Sequence, residues 1–573
     1  MKSRKSKFLS AFVAVFLFLT LVPAFSSAAD SVTDEMFQAL PEPGLGYLGY
    51  SAYPQGSSVV KSSGLVGMTT TADNKVTAIS YCSSIDDSKC ENSDYFQYRA
   101  EFPVCTTSIQ VDCIETLSAE DANGKSLTVT NKGIFSEEKN HVYAGSKTIL
   151  LPSGGVTSLF DIPEAPHEGG SLYLPMVTSH GHWDKSLNSL NTIENTGIFL
   201  YAVKIEKGQF QPDEISMDPT RYNAKNWITG ASTERRCIHN DSTTCAIAYP
   251  LPMNIKFGLK VRYGSNLKGW FHGRIQDPTI SYESNAGGGK TITASAFPIK
   301  IPSMSIWKKK SEIAPEVTAF YATQDKPLGG AGSGAGNLAL QNGSQDNWSL
   351  MLFNNTGYGQ GQMDEFLTWL PTFGDKATFL PTVWNLNLMT EQFSATNKRS
   401  CYTGTDTLTG IVSTNATQYL SGPPTYNSAT EELEYKVAGP HYLPNGDLFR
   451  GTYDLTLRSD FARCLYGITG TAFKAVISIV SDSGVSINAV TTIGEKNGWM
   501  YLSAKGFTFS NPTLKVKLVQ DAPTPVVTPT PTPTPTATIK PVSIQKMIVC
   551  VKGKTTKKVK AISPKCPSGY KKK

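Results

Sequence analysis

The residues best placed to do chemistry form the run His180-Gly181-His182-Trp183-Asp184. In an extended strand alternate side chains point to one side, so His180, His182 and Asp184 could converge on a metal ion. The competing interpretation is a polar strand end whose imidazoles contact solvent or backbone. We favour this second interpretation and expect no cofactor. His180, His182 and Asp184 are kept as candidate metal ligands.

The same run resembles the His-x-His-x-Asp-His motif of metallo-β-lactamase-like hydrolases. That resemblance implies metal-assisted hydrolysis, but Lys185 stands where the motif ends in histidine. The helices that alternate with strands in that fold are also missing from the pattern of the sequence. A second run, 287–291, has the glycines and lysine of a phosphate-binding loop, yet Ser284 replaces its first glycine. We therefore predict a turn between two strands there.

Signals for other catalytic chemistry are sparse. The sequence contains no Gly-x-Ser-x-Gly motif of a hydrolase nucleophile. A pair of glycosidase carboxylates could still be present, because its spacing is spatial rather than sequential. The eight Trp and 24 Tyr residues could stack on sugar rings, although such aromatic residues more often fill β-sheet cores. We assign no catalytic residue and keep a glycan as a possible ligand.

The ten cysteines predict a disulfide framework. Three successive pairs are each eight residues apart, and no two cysteines have the close spacing of a zinc knuckle. Crossed pairing among the first four cysteines is the main alternative. The pairs that we predict are Cys82–Cys90, Cys105–Cys113, Cys237–Cys245, Cys401–Cys464 and Cys550–Cys566.

The first 29 residues have the pattern of a secretory signal peptide. Four basic side chains precede an apolar run from position 8 to 25, and small residues follow it. A retained membrane anchor is the alternative, but polar residues and a proline interrupt the run. We expect the mature protein to be secreted or to lie at the cell surface, which agrees with its even number of cysteines.

Charge is distributed unevenly along the chain. Residues 540–573 contain eleven lysines and no acidic residue, whereas residues 30–539 carry 38 basic and 47 acidic side chains, a net charge of −9. We predict that the tail binds an anionic envelope polymer or a membrane surface, and we expect no nucleic-acid partner. The alternative is a tag that binds nothing. The predicted contact residues are Lys552, Lys554, Lys557, Lys558 and Lys560.

Hydrophobic periodicity predicts an all-β protein. Apolar and polar residues alternate strictly over 253–263, as in a half-buried strand, and a Gly-Trp stretch over 269–280 follows it. A similar Gly498-Trp499 stretch suggests two antiparallel, sandwich-like β-domains that could be related, spanning 30–310 and 311–520. A Pro/Thr-rich linker (521–542) and a small disulfide-bridged basic hairpin (543–573) follow. A short helix is expected over 363–370.

The C-terminal motif 548–572 and two stretches at 457–467 and 494–499 are similar to segments of uncharacterised exported actinobacterial surface proteins. This resemblance implies an exported protein and the architecture described above, but it implies no catalytic residue. Two functions follow as expectations. The first is a non-catalytic surface or matrix protein of disulfide-braced β-modules, and the alternative is an extracellular polysaccharide-binding protein or hydrolase.

Overall fold

Strands dominate the computed structural model of the chain, with 54% of the described residues in strands and 9% in helices. The all-β class predicted from the sequence is therefore confirmed. The expected signal peptide (1–29) and Pro/Thr-rich linker (521–542) lie outside the described residues. The structure describes residues 46–54, 62–73, 75–138, 141–186, 189–212, 217–219, 237–265, 267–323, 337–340, 349–355, 360–389, 401, 407–420, 423–469, 473–480, 486–487, 490–509, 513–520 and 545–573.

The strands are numbered in chain order. The first group is β1 (Tyr47–Tyr53), β2 (Gly64–Thr70), β3 (Val76–Cys82), β4 (Tyr95–Glu101), β5 (Cys113–Glu120), β6 (Thr130–Ile134), β7 (Ser158–Asp161), β8 (Leu172–Asp184), β9 (Ser189–Lys207), β10 (Cys237–Asn240), β11 (Thr244–Tyr249), β12 (Lys256–Tyr263), β13 (Gly269–Arg274), β14 (Gln276–Ser284), β15 (Lys290–Phe297), β16 (Ile299–Lys300) and β17 (Met304–Lys309). The second group is β18 (Asn337–Leu340), β19 (Ser349–Asn355), β20 (Thr382–Val383), β21 (Asn385–Met389), β22 (Leu408–Thr414), β23 (Gln418–Tyr419), β24 (Thr425–Asn427), β25 (Glu432–Ala438), β26 (Gly451–Arg458), β27 (Phe473–Val480), β28 (Ser486–Ile487), β29 (Val490–Lys496), β30 (Trp499–Phe507), β31 (Thr513–Gln520), β32 (Lys546–Lys552), β33 (Thr555–Ala561) and β34 (Lys571–Lys572).

Three α-helices occur in the described part of the chain: α1 (Pro315–Thr323), α2 (Gln360–Trp369) and α3 (Ser459–Tyr466). Helix α2 confirms the helix expected over 363–370. None of the helices in these ranges is long and apolar enough to cross a membrane. The helices α1 and α2 cover a small sheet of order β17-β1-β19-β18, where the ring of Tyr50 stacks on Trp369 with 4.8 Å between centroids.

A large sheet organises the first compact unit, and its main path runs β29-β30-β26-β22-β13-β21-β9-β8-β4-β2-β3. Neighbours along this path are antiparallel, except that β13 and β22 are parallel. The antiparallel sheet β14-β15-β12-β5 packs on one face, and the sheet β23-β25-β31-β27-β28 packs on the other. Each face therefore has a hydrophobic core of its own.

Strand β13, from the predicted Gly-Trp stretch, divides the two cores. Its successive side chains point to opposite faces, so Trp270 lies in one core and Phe271 lies in the other. The parallel neighbour β22 repeats the division with Val412 and Ile411. Gly410 lets the Trp270 ring lie close to the backbone, because a Cβ atom at position 410 would be 2.6 Å from that ring. Because each strand sends side chains into both cores, β13 and β22 are buried on both faces.

The compact unit extends across the domain boundary that the sequence suggested at 310/311. Strand β21 pairs with β13 and with β9, and β1 pairs with both β17 and β19. The chain divides into the units Met1–Gln520 and Asp521–Lys573, so 30–310 and 311–520 do not form separate units. The physical reason is that strand pairing joins distant segments, which a change of composition along the chain does not reveal.

The two Gly-Trp stretches also occupy different environments. Trp270 packs in the core beside β25 and β31, whereas Trp499 belongs to the opposite core and Met500 takes the face that Trp270 takes. The cysteines that precede the two stretches differ as well, because Cys237 begins strand β10 and Cys464 lies in helix α3. The similarity of the two stretches therefore does not correspond to a repeated structural position.

A buried cation ends strand β13. The Arg274 side chain is 2% exposed, and its guanidinium donates hydrogen bonds to the carbonyls of Thr414 (2.8 Å), Ala416 and Thr417 (3.1 Å). It also lies 4.6 Å from the centroid of the Tyr419 ring. Burial lowers the pKa of Arg274 to about 10, so the side chain stays charged at neutral pH. This cation fastens the connection between β22 and β23 to β13.

All five predicted disulfides are present, and none of the ten cysteines is free. The crossed alternative among Cys82, Cys90, Cys105 and Cys113 is therefore excluded. Three bridges close short loops beside strands, and Cys401–Cys464 connects a segment 63 residues away to helix α3. Several disulfides are consistent with an extracellular protein.

Replacing Arg274 by lysine tests the role of the buried cation. An ammonium group cannot reach three carbonyls in a fork, so we expect Arg274→Lys to lower the free energy of unfolding by roughly 2 kcal/mol or more. Chemical denaturation of the oxidised protein measures this change. Arg450→Lys is the matched control, because Arg450 is exposed and donates to a single carbonyl. Equal stability of the two variants would contradict a structural role for Arg274.

Candidate functional site

The predicted metal residues lie at the end of β8, between β4 and β9. His180, His182 and Asp184 share the partly exposed side of the strand, while Gly181 and Trp183 are buried on the other side. The same-side placement expected from the alternation is therefore present. His180 is paired with Arg99 of β4 in the strand register. The His182 ring stacks on the Tyr95 ring, with 5.2 Å between the ring centroids.

The environment of these residues favours structural roles. Burial lowers the pKa of His180 to about 4, with the nearby Arg99 charge contributing, and burial also lowers the pKa of His182. Asp184 accepts hydrogen bonds from the backbone and hydroxyl of Ser186 (2.9 and 2.6 Å). Within the described ranges, no three His, Cys, Asp or Glu side chains are grouped closely enough to hold a metal ion. The candidate metal site is therefore not assembled there.

The run 287–291 forms the predicted turn. It connects β14 to β15, where Asn285 holds the loop through a hydrogen bond from the Gly289 amide (2.9 Å). The side-chain amide of Asn285 also donates a hydrogen bond to the carbonyl of Tyr263 (3.1 Å), which connects the turn to β12. Strand β15 begins at Lys290, so a strand stands where a phosphate-binding loop requires a helix.

A carboxyl group with a raised pKa lies where β14 crosses β26. Asp454 is 4% exposed, and burial raises its pKa to about 6, with the charge of Asp277 adding to the rise. Its Oδ2 accepts a hydrogen bond from the Asp277 amide (3.3 Å), and Asp277 is paired with Lys505 at 2.5 Å. No sequence pattern predicts this pair, apart from the presence of a charged residue within each of two strands. Because Asp454 is enclosed, it lacks the access that a general acid requires.

A second buried ionisable pair joins β4 to β10. The Glu101 carboxylate and the His239 Nε2 atom are 2.9 Å apart, and neither side chain is more than 2% exposed. A carboxylate and the imidazole that it orients are two of the three members of a Ser-His-Asp hydrolase triad. However, His239 Nδ1 has no hydrogen-bond partner among the described residues, so a nucleophile is missing. The pair fastens the Cys237–Cys245 hairpin to the sheet.

A cavity of about 150 Å³ opens beside the Cys105–Cys113 loop. Asp112 lies in its wall and accepts hydrogen bonds from the amides of Gly264 (2.9 Å) and Ser153 (3.1 Å), so this carboxylate ties three loops together. Burial raises the pKa of Asp112. The remaining wall consists of small, aliphatic and lysine residues, and it offers no aromatic ring for a sugar.

The basic tail forms a unit of its own. Strands β33-β32-β34 make a three-stranded antiparallel sheet, one strand more than the predicted hairpin, and Cys550–Cys566 braces it. The predicted contact residues are all exposed, but they do not share one face. Lys552 and Lys557 lie on the side of Cys550, Lys554 lies in the turn, and Lys558 and Lys560 lie on the opposite side.

The raised pKa of Asp454 predicts how the stability of the protein depends on pH. Its pKa in the folded state is raised above the ordinary value of 3.8, so protonation favours the folded state and this stabilisation is lost as pH rises through about 6. Asp454→Asn keeps the shape without the charge. We therefore expect the free energy of unfolding of the variant to exceed that of the wild type by an amount that grows as pH rises from about 4 to 7.5. The difference should reach roughly 2–3 kcal/mol at most.

Denaturant titrations across this pH range measure the difference between the two proteins. Asp447→Asn, in an exposed loop, is the matched control and should keep the pH profile of the wild type. Parallel profiles for wild type and Asp454→Asn would show that Asp454 does not titrate in this range.

Comparison with known proteins adds no family to these observations. No family model matches the chain, and no curated protein matches it. The similarity of 548–572 to exported surface proteins therefore remains an expectation. The function has to be inferred from the chain's own charges, bridges and sheets.

Proposed function

We propose that this is an exported, non-catalytic surface protein whose disulfide-braced β-body is retained at an anionic envelope surface by its C-terminal basic unit. The observation that carries the proposal is the basic sheet of β32, β33 and β34. It presents exposed lysines on a bridged scaffold, and residues 540–573 contain no acidic side chain.

Electrostatics explains why such a unit would be needed. Residues 30–539 carry a net charge of −9, so an anionic surface repels the body. Each lysine close to an anionic membrane contributes about 1 kcal/mol of attraction, so a few engaged lysines hold the protein reversibly. The Pro/Thr-rich sequence 521–542 separates the two charge regions along the chain.

The body supports a non-catalytic role. Its buried ionisable groups Arg274, Asp454 and the Glu101–His239 pair connect strands and loops to one another. Each of them is at least 96% buried and has partners that fix the fold. Such groups stabilise a unique structure, and they leave an extracellular substrate with little to contact.

Truncation tests the proposal. The mature chain and a chain that ends at Asp521 are incubated with isolated cell envelopes, and the bound fraction is measured by sedimentation. We expect the mature chain alone to bind, and its binding to weaken as salt rises from about 0.05 to 0.5 M, because screening shortens the range of the attraction.

Charge-matched variants sharpen this test. In one variant, five tail lysines become glutamine: Lys552, Lys554, Lys557, Lys558 and Lys560. In its control, five exposed body lysines become glutamine: Lys75, Lys89, Lys125, Lys132 and Lys309. The tail variant should lose envelope binding while the control keeps it. Equal binding by the mature and truncated chains, or binding indifferent to salt, would refute the proposal.

A further inference from the structure

The two faces of the basic sheet differ in what covers them. The covered face carries Cys550, Lys552 and Lys557, and the segment 566–570 lies over it. Three contacts establish this cover: the Cys550–Cys566 bridge, the Lys557 ammonium 5.7 Å from the Tyr570 ring, and the Lys552 side chain beside Gly569.

The opposite side, here called the open face, is amphipathic. Its centre is a stripe of apolar residues on the middle strand β32, and lysines from both edge strands flank that stripe. Cross-strand register places Met547 opposite Lys560, Val549 opposite Lys558 and Val551 opposite Lys571. Directly paired residues share a face of the sheet, so the apolar stripe and the lysines form one surface. The open face consists of Met547, Val549, Val551, Thr556, Lys558, Lys560 and Lys571.

Two large apolar side chains are exposed at one end of this sheet. Met547 is 59% exposed, and Ile562, which directly follows β33, is 61% exposed. Because Lys546 pairs with Ala561, both residues lie at the end of the hairpin away from its turn. Exposed apolar side chains lie here among lysines, and residues 540–573 contain no acidic side chain. This combination matches a surface that is anionic outside and apolar beneath.

We propose that the open face docks onto a bilayer that contains acidic lipids. Lys558, Lys560 and Lys571 approach the headgroup phosphates, and Met547 enters the boundary between headgroups and acyl chains. The long lysine stems lie along the apolar stripe while their ammonium groups stay in the headgroup layer. The inference rests on the proposed retention function and identifies the surface that is bound.

A dissolved anionic polymer fits the open face less well than a bilayer does. Such a polymer engages ammonium groups wherever they are exposed, so lysines of both faces and of the turn would contribute alike. It also gains nothing from Met547. A bilayer presents a flat anionic layer over an apolar interior, so it contacts one face and makes use of the exposed methionine.

Vesicle flotation of the full mature protein tests this inference. The vesicles contain equal parts of phosphatidylglycerol and phosphatidylcholine, or phosphatidylcholine alone, and long-chain polyphosphate serves as the lipid-free polyanion. We expect flotation with the acidic vesicles alone. The double substitution Lys558→Gln/Lys560→Gln should weaken binding about thirtyfold, since each lysine contributes about 1 kcal/mol.

The matched control is Lys552→Gln/Lys554→Gln, which removes the same charge from the covered face and the turn. We expect it to weaken vesicle binding severalfold less than the open-face pair does. Met547→Ser should weaken binding roughly tenfold, whereas Met547→Leu keeps the apolar volume and should bind as wild type does. Non-reducing peptide mapping confirms that each variant retains Cys550–Cys566.

Equal losses for the two lysine pairs, or unchanged binding by Met547→Ser, would overturn docking by the open face. Salt-dependent retention on envelopes together with failure to float with acidic vesicles would also overturn it, while leaving the proposed function intact. Flotation with acidic vesicles but no retention on envelopes would instead contradict the proposed function. The two ideas can therefore fail separately.

Discussion

The fold of the body depends on one strand that is buried on both faces. The pleat of β13 sends Trp270 into one core and Phe271 into the other, so the strand can be displaced only by disrupting both. At its end, Arg274 has carbonyls and an aromatic ring as its partners, with no carboxylate among the described residues. Burying a charge costs free energy unless hydrogen bonds compensate, and three carbonyls supply that compensation. The cation thereby holds the β22–β23 connection where both cores meet.

This constraint explains how the body uses its polar groups. A sheet that is covered on both sides leaves few places where a polar side chain reaches solvent, so each buried one needs a fixed partner. Glu101 finds His239, and Asp454 accepts the Asp277 amide. The raised pKa of Asp454 shows the cost of enclosing a carboxyl group with a second one nearby. The same features that elsewhere indicate catalysis therefore serve here to fasten strands.

Sequence reasoning succeeded where the signal is local and failed where it is spatial. Equal spacing identified the disulfides, and alternation over 253–263 identified β12, because both patterns depend on near neighbours. The division at 310/311 failed because the partner of a strand, such as β21 beside β9, is not encoded in adjacent residues. Helix α3 was missed because eight residues span little more than two turns. The side chains of His180, His182 and Asp184 lie on one side of their strand as expected, but their convergence on one metal ion depends on the surrounding fold.

Charge separation follows from the different ways in which the two units are stabilised. The body has large cores, so it tolerates the mutual repulsion that comes with a net charge of −9 in residues 30–539. A sheet of three short strands buries too little apolar area to do the same, and its lysines repel one another. The Cys550–Cys566 bridge closes a 16-residue separation and reduces the entropy of the unfolded tail, which offsets that repulsion. Because the bridge lies on the covered face together with 566–570, the apolar stripe of β32 on the open face is left without a core of its own. A docking partner can therefore cover that stripe without disturbing the bridge that keeps the unit folded.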